Sequence, residues 1–87
     1  MTEIRHSEVF TPIGFRECAF GDGCYRGPDG RYYRISRFGD RYVTEYAQTL
    51  RDAETGLFFD LASYSDTLPK PELLRLMQRD LRSNSVS

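Results

Sequence analysis

The chain has no tryptophan, a single lysine and a single histidine, and it has no long uninterrupted run of apolar residues. A membrane-spanning helix needs about 18 or more consecutive apolar residues, and a secretory signal needs a shorter apolar run near its start. The opening residues 1–12 have neither pattern. We therefore expect a cytoplasmic protein that does not span a membrane.

An excess of charge of one sign is also lacking, because 12 basic residues stand against 13 acidic ones and the net charge is −1. Both signs are spread along the chain, so no long-range field attracts it to a polyanion or to a lipid surface. Every basic residue except Lys70 is arginine, but this enrichment extends along the whole chain and does not mark a site. The balance argues against generic nucleic-acid or membrane binding.

The length of 87 residues indicates one domain. A chain this short buries only somewhat more than about 60% of its unfolded surface and cannot divide that burial between two cores. We therefore treat residues 1–87 as a single domain, with frayed ends at about 1–3 and 83–87. Aromatic residues make up 14% of the chain, so Tyr and Phe must supply much of the packing.

Turn-forming residues recur at short spacing and divide the body of the chain into strand-sized pieces. The turn signals contain glycine, proline or aspartate and fall near residues 11–14, 21–23, 27–30, 39–40 and 54–56. They predict strands at about 14–20, 31–38, 41–51 and 57–64, joined as an antiparallel meander. A further short strand is allowed before Phe10.

The last part of the chain predicts one helix, from about Pro69 to Arg82, because proline is tolerated in the first turn of a helix. Its apolar side chains share one arc of the helix, which indicates a face that packs on the sheet: Leu73, Leu74, Leu76, Met77 and Leu81. The predicted fold class is therefore α+β, an antiparallel meander of about four strands with one C-terminal amphipathic helix packed on one face.

Alternation of side chains assigns residues to the two faces of the predicted sheet. A two-residue turn at Gly39-Asp40 pairs Phe38 with Arg41, Arg34 with Glu45, Tyr32 with Ala47, Tyr33 with Tyr46, and Ile35 with Thr44. The first face then receives the helix and forms the core; it contains Tyr33, Ile35, Tyr42, Tyr46, Leu50, Leu57, Phe59 and Leu61. The second face contains Tyr32, Arg34, Phe38, Arg41, Val43, Glu45, Ala47, Arg51, Phe58, Asp60, Ala62 and Tyr64.

The second face is unusually aromatic for a solvated surface, and Tyr and Phe among a few arginines are typical of an interface centre. This composition predicts a partner-binding surface formed by Tyr32, Phe38, Val43, Phe58 and Tyr64. The alternative is that the N-terminal segment folds across this face and buries it, with Ile4, Val9, Phe10 and Phe15.

The sequence contains no convincing catalytic or metal-binding motif. His6 is the only histidine and has no nucleophile motif near it, so we expect it to be solvated. Cys18 and Cys24 could form a disulfide, but two cysteines without a secretion signal are more often reduced, so we expect structural thiols. Their five-residue spacer does not match a zinc knuckle. Glu45 and Asp60 are the one pair of acids on one face that could support acid–base chemistry, and a structural ion pair near Thr49 or Arg51 is the simpler interpretation of Asp60. We expect no catalytic residues, no metal and no cofactor.

The leading functional hypothesis is a small non-enzymatic protein-binding module. It would act as a homodimer, or as an inhibitor or adaptor of the size and composition found among toxin immunity proteins and mobile-element proteins. One alternative is binding of RNA or single-stranded DNA by the arginines and tyrosines of residues 25–42. The other is a small-molecule site between helix and sheet, lined by Tyr33, Tyr42 and Tyr46.

Overall fold

The fold is that of a computed structural model, which describes residues 3–19 and 23–85. Five strands form one antiparallel sheet in the order β1-β2-β3-β4-β5. The elements along the chain are α1 (His6–Phe10), a 3-10 turn (Thr11–Ile13), β1 (Arg16–Glu17), β2 (Tyr25–Arg26), β3 (Tyr32–Phe38), β4 (Arg41–Ala47), α2 (Leu50–Thr55), β5 (Phe59–Ser65) and α3 (Lys70–Ser85). The predicted α+β class, the meander and the C-terminal helix are confirmed.

The hairpin formed by β3 and β4 has the register that the sequence predicts. Gly39 adopts a left-handed conformation in its two-residue turn, with φ of 61°. All five predicted pairs are present, from Tyr32 opposite Ala47 to Phe38 opposite Arg41. The face assignments of β3 and β4 are therefore correct. The prediction omitted β2, which is only two residues long and lies between two turns.

Strand β5 contains a β-bulge that overturns part of the predicted face assignment. Phe59 lies opposite Tyr46 and Asp60 opposite Glu45, but beyond the irregularity Ala62 lies opposite Thr44 and Tyr64 opposite Tyr42. A bulge adds one residue to one strand, so every side chain after it changes face. Ala62 and Tyr64 consequently lie on the first face, and their prediction on the second face was wrong.

Residues 50–55 form a helix, although the sequence analysis placed residues 41–51 in one strand. The Thr49 side chain accepts a hydrogen bond from the Asp52 backbone N–H at 3.1 Å, which caps the first turn of α2. Gly56, with φ of 83°, ends the helix in the left-handed conformation. Ala53 of α2 then packs with Cys24 and Ala47 on the second face.

The main core lies on the first face, between the sheet and both α1 and α3. It consists of Ile4, Val9, Phe10, Phe15, Tyr25, Tyr33, Ile35, Tyr42, Tyr64, Leu73, Met77 and Leu81. The α1 helix replaces the short strand that was allowed before Phe10, and the Phe10 ring stacks on Tyr25 with centroids 4.8 Å apart. The N-terminal segment therefore packs on the first face, so the alternative in which it covers the second face is wrong.

Candidate protein-binding surfaces

The five residues predicted to bind a partner do not form one surface. Tyr64 lies in the core under α3, where its hydroxyl donates a hydrogen bond to the Asp80 carboxylate. Burial, followed by the effect of Asp80, raises the pKa of the Tyr64 phenol. Val43 is buried as well, and Tyr32 and Phe58 are half-buried against the cluster under α2. Of the five, Phe38 alone is exposed, at 59%.

A compact ion pair occupies the middle of the second face. The Arg34 Nε atom lies 3.0 Å from a Glu45 carboxylate oxygen, and the Ser36 hydroxyl donates a hydrogen bond to the same oxygen. The Arg34 guanidinium stacks on the Phe58 ring, 3.9 Å from its centroid. Glu45 is only 5% exposed, so these contacts compensate a buried carboxylate. The predicted pairing of Arg34 with Glu45 is confirmed, and the cluster is structural.

The arginines of the β3–β4 hairpin are divided between the two faces. Arg34 and Arg41 lie on the second face, where Arg41 donates a hydrogen bond to the Ser63 hydroxyl at 2.8 Å. Arg31 and Arg37 lie over the first-face rings of Tyr46 and Tyr42, each 5.6 Å from the ring centroid. Arg37 also pairs with Asp66 at 2.6 Å. These side chains do not line up as one basic stripe.

An open pocket of about 390 Å³ lies where β1, β2 and β3 meet α2. Arg16 and Arg26 stand directly opposite each other at its rim. Glu17 and Glu54 also line the pocket, so its charged residues are balanced in sign. Cys18 and Tyr32 contribute to its lining. Tyr33 and Tyr42, which the sequence analysis offers as the lining of a small-molecule site, do not line this pocket and are buried in the core cluster.

His6 is not solvated, which corrects the expectation from sequence. The Ile35 backbone N–H points at the His6 Nδ1 atom, 3.4 Å away, and the ring lies against the backbone of Gly23. Burial is the largest effect and lowers the pKa of His6, and the nearby charge of Arg34 lowers it further. The side chain therefore joins α1 to the sheet as a neutral imidazole.

We expect protonation of His6 to destabilise the fold. Its pKa is lower in the folded state, so the unfolded chain binds more protons and the free energy of unfolding falls as the pH drops below about 6.5. The effect stays under about 1 kcal/mol because solvent screens a half-buried ring. Urea unfolding at pH 7.5 and pH 5.5 measures it. The His6→Asn variant keeps an acceptor for Ile35 without titrating, and an unchanged pH dependence in that variant would contradict the assignment.

A different exposed surface lies at the outer edge of the sheet. Phe59 is 47% exposed and Leu57 52% exposed, and the Phe59 ring lies 5.8 Å from that of Tyr46. Arg31 covers the other side of Tyr46. We call Arg31, Tyr46, Leu57 and Phe59 the edge surface. The sequence predicts Leu57 and Phe59 in the core, but the core cluster under α1 and α3 does not include them.

The edge surface adjoins β5, whose outer side is not paired with any strand in the part of the chain that the structure describes.

Helices α1, α2 and α3 are all too short or too polar to cross a membrane. No group of three or more His, Cys, Asp or Glu residues that could hold a metal ion occurs within residues 3–19 and 23–85.

Comparison of the chain with protein-family models, with curated proteins and with solved structures finds no match.

Proposed function

We propose that this protein is a non-enzymatic protein-binding module that associates with a second copy of itself through the edge surface and β5. The observation that carries the proposal is the exposure of Phe59 and Leu57 beside an open strand edge. Exposed apolar side chains at such an edge combine a hydrophobic contact with a row of free backbone groups.

The strand itself favours pairing. An edge strand that avoids association usually carries several charges, a lysine, a proline or a β-bulge. Phe59–Ser65 has the bulge, but Asp60 is its one charged residue. Its seven residues are long enough to form a ladder with another strand. The side chains beside it are of the kinds that dominate interface centres, since Tyr, Phe and Arg are enriched there.

The β-bulge allows two β5 strands to pair in an antiparallel manner with opposite side chains on the same face of the sheet. Residues opposite each other must share a face of the sheet, and Phe59 and Tyr64 both lie on the first face. Asp60 and Ser63 both lie on the second face. A two-fold axis between Leu61 and Ala62 therefore places Phe59 opposite Tyr64 of the second copy, and Asp60 opposite its Ser63.

This register also brings opposite charges together. Within one copy, the Arg41 Nε atom donates a hydrogen bond to the Ser63 hydroxyl, so its guanidinium lies beside the position that Asp60 of the other copy would occupy. The two-fold axis repeats the contact, which gives two Asp60–Arg41 pairs for each dimer. A foreign protein strand could pair with the same edge, but it would have to supply a cation for Asp60 and an anion for Arg41. The complementarity therefore favours a second copy.

Light scattering over a concentration series tests the proposal. We expect the mass of the native chain to rise from 10.1 kDa towards twice that value as concentration increases. A Leu57→Ser, Phe59→Ser double variant should remain at the monomer mass while keeping its circular dichroism spectrum, because both side chains are exposed. The matched control is Phe38→Ser, which removes an exposed ring at the other end of the sheet and should dimerise normally.

Charge reversal tests the register separately. Asp60→Arg or Arg41→Asp alone should weaken dimerisation, because each change places like charges opposite one another. The combination of both changes should restore it. A native chain that stays monomeric at millimolar concentration would contradict self-association, and a dimer that only Phe38→Ser disrupts would move the interface to the second face.

The same preparation separates this proposal from single-stranded nucleic-acid binding. A nucleic-acid site would show affinity for an oligonucleotide that falls steeply with salt. Because the hairpin arginines are divided between two faces, we expect no such binding at physiological salt. Salt-dependent binding without dimerisation would favour the nucleic-acid alternative instead.

A further inference from the structure

Cys18 and Cys24 face each other across neighbouring strands. Glu17 lies opposite Tyr25 in the β1–β2 ladder, and continuing this register by one position places Cys18 opposite Cys24. The Cys18 backbone N–H donates a hydrogen bond to the Cys24 carbonyl at 3.0 Å, so the antiparallel pairing extends to these two residues. Both side chains point to the second face, where they belong to one apolar cluster.

The two thiols are close neighbours. Both cysteines are free, and each affects the pKa of the other. Cα atoms of residues directly opposite each other in an antiparallel pair are about 4.5 to 5.5 Å apart, and disulfides form across separations of about 4.4 to 6.8 Å. A bond between the two sulfur atoms therefore requires rotation of the side chains and little movement of the backbone.

We propose that Cys18 and Cys24 form an oxidisable dithiol, which a peroxide converts into a cross-strand disulfide. The two cysteines differ in their access to such a reagent. Cys18 is half-buried and lines the open pocket between β1 and α2, whereas Cys24 is 2% exposed and packs near Ala53. A small oxidant therefore reaches Cys18 first, and Cys24 acts as the resolving thiol.

The chemistry balances with hydrogen peroxide as the oxidant. The Cys18 sulfur, as its thiolate, attacks one peroxide oxygen; the O–O bond breaks, hydroxide leaves and takes up a proton as water, and Cys18 becomes a sulfenic acid. The Cys24 sulfur then attacks the Cys18 sulfur, and the sulfenic oxygen leaves as a second molecule of water. Two thiols and one peroxide give one disulfide and two waters, so the thiols are oxidised and the peroxide is reduced.

The surroundings of the two cysteines slow their oxidation. Burial raises the pKa of Cys18, and it raises that of Cys24 to about 12, so both are protonated at neutral pH. The charged groups nearest the pair are of both signs, with Arg26 and Glu17 beside Cys18 and Arg34 beside Cys24. Protonated thiols are poor nucleophiles, which makes the conversion slow compared with that of an activated cysteine.

Intact-mass measurement after peroxide treatment and thiol alkylation tests the proposal on the full native chain. We expect a monomeric product about 2 Da lighter than the reduced chain, without alkylated cysteines, and reversed by a dithiol reductant. Its thermal midpoint should rise by at least about 4 °C, because a cross-link restricts the unfolded chain. Chains that keep two alkylatable thiols, or that accumulate sulfinic acid or intermolecular disulfides, would overturn the proposal.

Single variants test separately which cysteine meets the oxidant and which one resolves the sulfenic acid. In Cys24→Ser, the sulfenic acid at Cys18 should persist long enough to be trapped by dimedone, because its resolving thiol is absent. In Cys18→Ser, the buried Cys24 should be oxidised at least tenfold more slowly than Cys18 in the first variant. Equal rates in the two variants would contradict the assignment of Cys18 as the residue that meets the oxidant.

Discussion

Replacing Phe10 with alanine is expected to lower the free energy of unfolding by about 3 to 5 kcal/mol, the usual cost of removing a fully buried phenylalanine. Phe10 is 0% exposed and contacts the rings of Phe15 and Tyr25. The matched control is Phe59→Ala, which makes the same chemical change at a side chain that is 47% exposed and should cost less than about 1.5 kcal/mol. Urea unfolding of both variants at the same protein concentration measures the difference.

The comparison also tests where the N-terminal segment packs. If α1 is integral to the core, Phe10→Ala weakens the whole cooperative transition. Equal losses at Phe10 and Phe59 would show that Phe59 is buried and that the edge surface is not exposed. A negligible loss at Phe10 would mean that α1 does not contribute to the stability of the sheet.

The second large effect is expected at Arg34. Replacing it with methionine leaves the Glu45 carboxylate buried without its cation, and breaking a buried pair on one side costs about 2 to 4 kcal/mol when the arginine keeps some exposure to solvent. The control is Arg37→Met, which removes a more exposed pair with Asp66 and should cost under about 1 kcal/mol.

A double-mutant cycle separates the lost attraction from the cost of the unpaired carboxylate. The Arg34→Met, Glu45→Met double variant should be more stable than Arg34→Met alone, because it no longer contains a buried unpaired charge. Urea unfolding supplies all four free energies. A double variant less stable than Arg34→Met would mean that Glu45 has contacts of its own that matter more than its pairing with Arg34.

The part of the fold that could be predicted from sequence is the part governed by local rules. The Gly39-Asp40 turn fixes a two-residue hairpin, and parity then determines which residues of β3 and β4 lie opposite one another. The amphipathic pattern of α3 is similarly local, and its apolar arc does bury Leu73, Met77 and Leu81.

The parts that were missed depend on single residues or on distant packing. The pattern of residues 48–51 fits an alternating strand as well as it fits a helix. Only the Thr49 cap and Gly56 distinguish α2 from a strand. The bulge before Ala62 has no signal in the apolar pattern, yet it moves Tyr64 from one face to the other. Alternation of side chains predicts the face of each residue along a strand only up to the first β-bulge.

The candidate surface was missed for a related reason. Composition identified a sheet with more aromatic rings than one core requires, but it could not say which rings the helices would cover. Helix α2 covers part of the second face, while the contacts of α1 and α3 leave Leu57 and Phe59 exposed at the edge. Leu57 and Phe59 are therefore exposed, although the sequence predicts both on the core face.

The packing of α1 against α3 has a consequence for the order in which the chain folds during synthesis. The Lys70 ammonium lies 3.1 Å from the Glu8 carboxylate, and the Gln78 side chain donates a hydrogen bond to the Glu8 carbonyl, so these contacts join residues 62 and 70 positions apart. The hairpins of the meander are close in sequence and can form while the ribosome is still adding residues. Tyr42 and Tyr64 then remain exposed until α3 has emerged, and during that interval the apolar face of the nascent sheet is accessible to chaperones.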